Sequence, residues 1–123
     1  MRQGRKLKKV GAFRTINVKE GMPTVAEARE RLKAELARSR DMGVKVVKLI
    51  HGYGSSGVGG AIKVAVHKSL SKRKKEGTIR LFVPGERFNS WDETALALYA
   101  VFPGVKGDPD YGKGNEGITL VLL

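Results

Sequence analysis

A histidine followed by closely spaced glycines is the part of this chain best suited to chemistry. His51 comes after a β-branched, aliphatic segment at 44–50 and before Gly52, Gly54 and Gly57. The aliphatic segment predicts a strand, and the glycines predict a sharp turn because glycine enters positive-φ conformations at little cost. Apolar residues at helical spacing follow the turn. A turn between a strand and a helix directs N–H groups and the positive end of a helix dipole at one point, which suits phosphate.

The residues of this turn allow more than one role. With an unperturbed pKa near 6.5, His51 is a candidate acid or base, but it could equally be a structural residue that caps the turn. Tyr53 either stacks on a base or shields the turn. His67, on the following helix, is predicted to be an exposed residue without a role. The predicted phosphate-binding segment comprises Gly52, Tyr53, Gly54, Ser55, Ser56 and Gly57.

Other ligands fit this pattern less well. The spacing G-x-G-x-x-G occurs in dinucleotide-binding folds, but Glu76 precedes the next strand instead of ending it. A P-loop is excluded because no Gly-Lys-Ser/Thr follows the turn. Asp108, Asp110 and Gly112 resemble part of a calcium loop, but Thr119 stands where the bidentate Glu is needed.

The charge of the chain favours a polyanionic partner over simple solubility. The net charge is +12, with 21 Lys/Arg against 6 Asp/Glu in residues 1–80 and 3 against 6 in residues 81–123. Such a basic field concentrates nucleic acid around a small domain. Residues 1–12 are predicted to be a basic, flexible arm, which either grips phosphates or is a solvated leader. A second cluster is expected to flank the glycine turn and bind nucleic acid, and it consists of Lys72, Arg73, Lys74 and Lys75.

The periodicity predicts a single α/β domain at 13–123. Strands are expected at 13–18, 44–50, 78–83 and 118–123, and the two main helices are expected at 25–42 and about 58–72. An additional helix and loop are inserted at about 89–113. The order is therefore β-α-β-α-β-β, a small two-layer sandwich with an insertion before the last strand. The absence of cysteine and of a signal-like or membrane-spanning segment suggests a soluble, cytoplasmic protein.

Details of the helices are also predictable. Thr24 and Glu27 form a capping box, and the charged face of the helix that they open is expected to pair along itself. A second capping box is predicted to start at Ser90. Trp91 is interpreted as a core or helix-packing residue in preference to a base-stacking platform.

Three segments together resemble the Smr (small MutS-related) domain family. The turn from His51 to Gly57 resembles its H-G-x-G-x-G motif, residues 24–28 resemble the start of its first helix, and residues 115–122 resemble its last turn and strand. The resemblance implies a fold similar to the C-terminal domain of a bacterial translation initiation factor. It also implies nucleic-acid binding, with endonuclease activity in some members.

The chain departs from the family pattern at its first strand. Where the family carries L-D-L-H, this sequence has Asn17 and Lys19 in place of the acid and the histidine. We therefore expect a module that binds RNA or structured DNA without a cofactor. The alternative is an endonuclease that uses His51 and Lys19, and a divalent metal such as magnesium would then be its cofactor. A third interpretation is a module that docks on an acidic protein or a ribosomal surface.

Overall fold

The computed structural model describes residues 12–53 and 58–123. Most of the predicted basic arm and four residues of the glycine turn (Gly54, Ser55, Ser56 and Gly57) lie outside the described residues. The predictions made for them stay predictions.

Four strands form one mixed sheet. They are β1 (Phe13–Asn17), β2 (Val46–Ile50), β3 (Leu81–Pro84) and β4 (Ile118–Leu122), in the spatial order β1-β2-β4-β3. β1 and β2 are parallel, and β4 runs antiparallel to both of its neighbours. The predicted α/β class and element order are confirmed.

Three helices connect these strands: α1 (Val25–Asp41), α2 (Val58–Glu76) and α3 (Glu93–Val101). The Thr24 capping box is confirmed, with the Thr24 hydroxyl accepting from Glu27 N and the Glu27 carboxylate accepting from Thr24 N. α2 continues four residues beyond its predicted end. Thr78 then bonds back to the Arg73 carbonyl, which delays the start of β3 from the predicted 78 to Leu81.

Both faces of the sheet are buried. α1 and α2 cover one face, and the core between them includes Leu32, Leu49, Val66 and Val121. The insertion covers the opposite face with α3 and two short 3-10 segments (Gly85–Arg87 and Pro103–Gly107). This double burial explains why β4 reads as a continuous apolar run and is buried throughout. The insertion thus adds a layer to the predicted two-layer sandwich.

A buried ion cluster fixes the insertion to the sheet. The Lys48 ammonium, on the face of β2 that meets the insertion, lies 2.8 Å from an Asp108 oxygen and 2.6 Å from an Asp110 oxygen. Burial opposes the charge of Lys48, but its hydrogen bonds to the two aspartates outweigh that effect and raise its pKa. The aspartates that resemble a calcium loop are therefore partners of an internal lysine.

Three predictions about helix surfaces are wrong. Trp91 is 76% exposed and is not a core residue. α3 is capped by Asp92 and not by Ser90, because the Asn89 side chain accepts from the N–H groups of Trp91 and Asp92 and holds both before the helix begins. Within the described ranges, no salt bridge joins two residues of α1; its Glu35 instead bonds Arg14 of β1 at 2.6 Å.

Candidate nucleic-acid interface

The predicted site residues meet where the strands end. The pairing of Asn17 with Ile50, of Ile50 with Ile118 and of Thr119 with Pro84 places the last residues of β1, β2 and β3 beside the start of β4. α1 and α2 also begin on this side, because each returns antiparallel to the strand before it. We call this side of the domain the strand-end site, defined by Lys19, His51–Tyr53 and Asn115–Gly117.

Lys19 and Gly52 are in contact across the ends of β1 and β2. The Asn17 side-chain oxygen accepts from Lys19 N at 3.0 Å and shapes the turn after β1. The Lys19 stem then crosses Gly52, where a Cβ would lie 3.0 Å from Lys19 Cδ. Gly52 has φ +72°, so both its backbone and this contact favour glycine.

Tyr53 lies beside Gly117 on the outer surface. It is 58% exposed, as predicted, and its ring approaches the space over Gly117, where a Cβ would lie 3.4 Å from Tyr53 Cδ1. The Gly52 N–H donates to the Gly117 carbonyl at 3.1 Å. The Gly52 N–H is therefore occupied, contrary to the sequence-based expectation that it binds a phosphate. The absence of a side chain at Gly52 instead leaves room for the Lys19 stem.

His51 lies beneath this surface and is fully buried. Its Nδ1 is 2.6 Å from the Gly52 carbonyl, so Nδ1 carries the proton and donates. Its Nε2 then accepts from the Thr119 hydroxyl at 2.8 Å. Burial, together with the nearby His67 and Lys63, lowers the pKa of His51 to about 4, and the ring is neutral at pH 7.

His67 extends the same hydrogen-bond chain, so the prediction that it is an exposed bystander is wrong. Because the Thr119 hydroxyl donates to His51, its oxygen accepts from His67 Nε2, which lies 2.9 Å away. The two imidazoles meet edge to face, with centroids 5.5 Å apart. Burial and the Lys63 charge lower the pKa of His67.

A charged group lies next to the histidines. Lys63 contacts Glu86 at 3.2 Å and Glu116 at 4.0 Å. Burial opposes the ionisation of Glu86, but its own backbone N–H and the Lys63 ammonium outweigh it and lower the pKa of that carboxyl. Lys63 is thereby partly neutralised, which leaves Lys19 as the more available cation at this end.

The basic cluster at Lys72–Lys75 does not flank the glycine turn, contrary to the sequence-based expectation. It lies on the last turns of α2, which begins at Val58 beside the strand-end site. At 1.5 Å per residue, the 14 residues between Val58 and Lys72 place the cluster about 20 Å away along the helix. The turn and the cluster are therefore two separate basic surfaces.

Sequence reasoning missed the roles of three residues, one in the strand-end site and two in the hydrogen-bond chain beneath it. Thr119 bridges the histidines, Asn115 accepts from Gly117 N at 2.8 Å, and His67 completes the chain. Thr119 carried a usable signal, because it is the one polar residue in the otherwise apolar segment from Ile118 to Leu122.

The described residues form neither a metal-binding cluster nor a helix that could span a membrane. Residues 12–53 and 58–123 bring no three His, Cys, Asp or Glu side chains together in a way that could hold a metal ion. The helices among them are all too short or too polar to cross a membrane.

Comparison with known proteins identifies the family. The sequence model of the Smr domain matches residues 16–86, which include the ends of β1 and β2 and the glycine turn. The chain belongs to the Smr domain family. This family is known for nucleic-acid binding and endonuclease activity. The match ends before α3, so most of the insertion lies outside it.

A solved Smr domain supports the same fold over nearly the whole chain. The crystal structure of the Smr domain of Thermus thermophilus MutS2 superposes with a TM-score of 0.56 at 22% identity, covering 89% of this chain and 96% of that one. A search of curated proteins gave no match. The likeness to the translation initiation factor domain stays a prediction.

Proposed function

We propose that this Smr domain binds RNA or structured DNA by its sugar–phosphate backbone, through the strand-end site and the separate basic cluster at Lys72–Lys75. The observation that carries the proposal is the exposure of Lys19, which contacts Gly52, and of Tyr53, which follows Gly52 in the chain, in a protein with a net charge of +12. Lys19 supplies a charge for a phosphate, and the Tyr53 ring supplies a surface for a base. Gly54, Ser55, Ser56 and Gly57, which lie outside the described residues, are included in the proposal as further binding residues on the ground of the sequence alone.

His51 acts in this proposal as a positioning residue. Its ring holds the Gly52 carbonyl on one side and the Thr119 hydroxyl on the other. These bonds fix the backbone at Gly52, which contacts the Lys19 stem and precedes Tyr53. His51 itself, being fully buried, does not touch the ligand.

Endonuclease activity is the second candidate, favoured by family membership. Hydrolysis of a phosphodiester needs a base for water, an acid for the leaving oxygen and a group that stabilises charge. Lys19 suits the last role. The two nitrogens of His51 are both committed to hydrogen bonds, and Asn17 replaces the family's acid, so binding is better supported than cleavage.

Fluorescence anisotropy with a labelled single-stranded RNA, a hairpin RNA and a branched DNA tests the binding proposal. We expect Lys19→Gln to weaken binding about fivefold at 0.1 M salt and to lower the log–log salt slope by about 0.7. Tyr53→Ala should weaken it about tenfold, whereas Tyr53→Phe keeps the ring and the affinity. Lys113→Gln, an exposed lysine of the insertion, is the matched charge control. Equal affinities of Lys19→Gln, Lys113→Gln and the parent would contradict the proposal.

The same substrates test for cleavage when they are incubated with and without magnesium. Cleavage product that is lost in Lys19→Gln and in His51→Ala would support the endonuclease hypothesis. Product that is unchanged in Lys19→Gln and His51→Ala would come from a contaminant or another site.

A further inference from the structure

A long groove runs between α1 and α2 on the outer face of the helical layer. This open groove has a volume of about 1300 Å³ and is lined by residues of both helices from their first turns to their ends. Small residues near the start (Ala26, Gly60 and Ala61) form its lining beside the strand-end site. At the other end, Arg40 of α1 donates to the Thr78 carbonyl just after α2. The two helices therefore run side by side in the same direction.

The lining of this groove is strongly basic. Six cations face it against two carboxylates, those of Glu30 and Glu76; the cations are Arg29, Lys33, Arg40, Lys68, Lys72 and Arg73. Among the described residues, none of the six makes a salt bridge. Arg40 and Arg73 are held by a backbone carbonyl and by Ser69, respectively. Arg29, Lys33, Lys68 and Lys72 lie on exposed positions of the two helices.

The groove also connects the two basic surfaces that the sequence placed together. At one end, the first turns of α1 and α2 line the groove beside the strand-end site. At the other end, the lining includes Lys72 and Arg73, which belong to the cluster at the end of α2. A helix of 17 residues such as α1 is about 25 Å long. This length, with cations on both walls, matches a linear polyanion better than a single phosphate group.

We infer that the groove between α1 and α2 holds one strand of a nucleic acid and carries its backbone from the strand-end site to Lys72–Lys75. This inference rests on the proposed function and names the path of the ligand. The furrow above two packed helices, whose axes lie about 8–10 Å apart, is narrower than a nucleic-acid duplex, so the form that follows its floor is a single strand. The cations contact phosphates, so the groove contributes affinity without sequence preference.

A pair of double variants tests the groove. Arg29→Gln with Lys68→Gln removes one exposed cation from each wall. Arg87→Gln with Lys113→Gln removes the same two residue types from exposed positions of the insertion, and is the matched control. With a labelled single-stranded RNA, the groove pair should lower the salt slope by about 1.4 and weaken binding roughly 20-fold at 0.1 M salt, while the control pair stays within about twofold of the parent.

The outcomes separate this inference from the proposed function. If the parent binds but the groove pair and the control pair have equal affinity, the groove inference is overturned and the strand-end proposal stands. If the parent fails to bind RNA or DNA even at low salt, the proposed function fails first. If polyglutamate of equal charge displaces the RNA as well as unlabelled RNA does, the groove recognises an acidic protein surface instead. Circular dichroism of both pairs establishes that they are equally folded.

Discussion

The two faces of the sheet are covered by very different surfaces. The face under α1 and α2 carries an outer layer rich in cations, which includes Lys33, Lys68 and Lys72. The opposite face is covered by the insertion, and residues 81–123, which contain it, hold 3 Lys/Arg against 6 Asp/Glu. The histidines and Thr119 lie on the helical side, whereas Lys48 and its aspartates lie on the insertion side. The proposed nucleic-acid groove and the internal ion cluster therefore lie on opposite faces of the sheet.

The largest expected effect concerns the insertion face. Lys48→Met should lower the free energy of unfolding by about 4 kcal/mol, because it leaves Asp108 and Asp110 buried without their cation. Urea unfolding measures this loss. If the two faces are independent, the folded variant should still bind RNA with the parent's affinity.

The control for this variant removes the two carboxylate charges that Lys48→Met leaves without a cation. Adding Asp108→Asn and Asp110→Asn to Lys48→Met should recover much of the stability. A fall in RNA affinity that persists in the folded triple variant would break the division between the faces.

The next effect concerns the helical face and its dependence on pH. Burial lowers the pKa of His51 to about 4, against about 6.5 in the unfolded chain. The unfolded state therefore binds the proton more readily, so stability is full above pH 6.5 and falls as the pH drops toward 4. The difference of about 2.5 pH units corresponds to roughly 3 kcal/mol.

Urea unfolding between pH 7.5 and 4 measures this loss. The pKa of His67 is also lowered, and Lys63 and Glu86 face both histidines. The variant His67→Gln is therefore needed to isolate the loss of stability that belongs to His51. A stability that does not change over this range in His67→Gln would contradict the buried, neutral state of His51.

The sequence predicted elements more accurately than their surroundings. The order of strands and helices and the Thr24 cap follow from local patterns, namely periodicity and side chains that bond to a nearby backbone. Trp91 was misplaced because its exposure depends on how Asn89 holds the loop before α3. Likewise, Asp108 and Asp110 could be interpreted only after Lys48, 60 positions earlier, was known to lie beside them.

The candidate site divides in the same way. That His51 and Gly52 follow a strand, and that Tyr53 is exposed, could be predicted from the sequence. The separation of the turn from Lys72–Lys75 also followed from the sequence, because the helix predicted at about 58–72 is about 20 Å long. The prediction that the cluster flanks the turn did not take this length into account.

The smallest expected effect distinguishes backbone strain from loss of the binding surface. Gly43 and Gly52 have similar backbones, with φ +77° and +72°. A Cβ at Gly43 meets nothing within 4 Å, whereas one at Gly52 would press on the Lys19 stem. Gly43→Ala and Gly52→Ala should therefore each cost about 1 kcal/mol of stability, because both place a side chain in the left-handed region.

Only Gly52→Ala should also weaken RNA binding, because it displaces Lys19 at the strand-end site. Combining it with Lys19→Gln should give no further loss of affinity beyond that of Lys19→Gln alone, since both changes act through the same ammonium. Additive losses in the double variant would mean that Gly52 serves the ligand by a route other than Lys19. Equal RNA affinities of Gly43→Ala and Gly52→Ala would remove Lys19 from the binding surface.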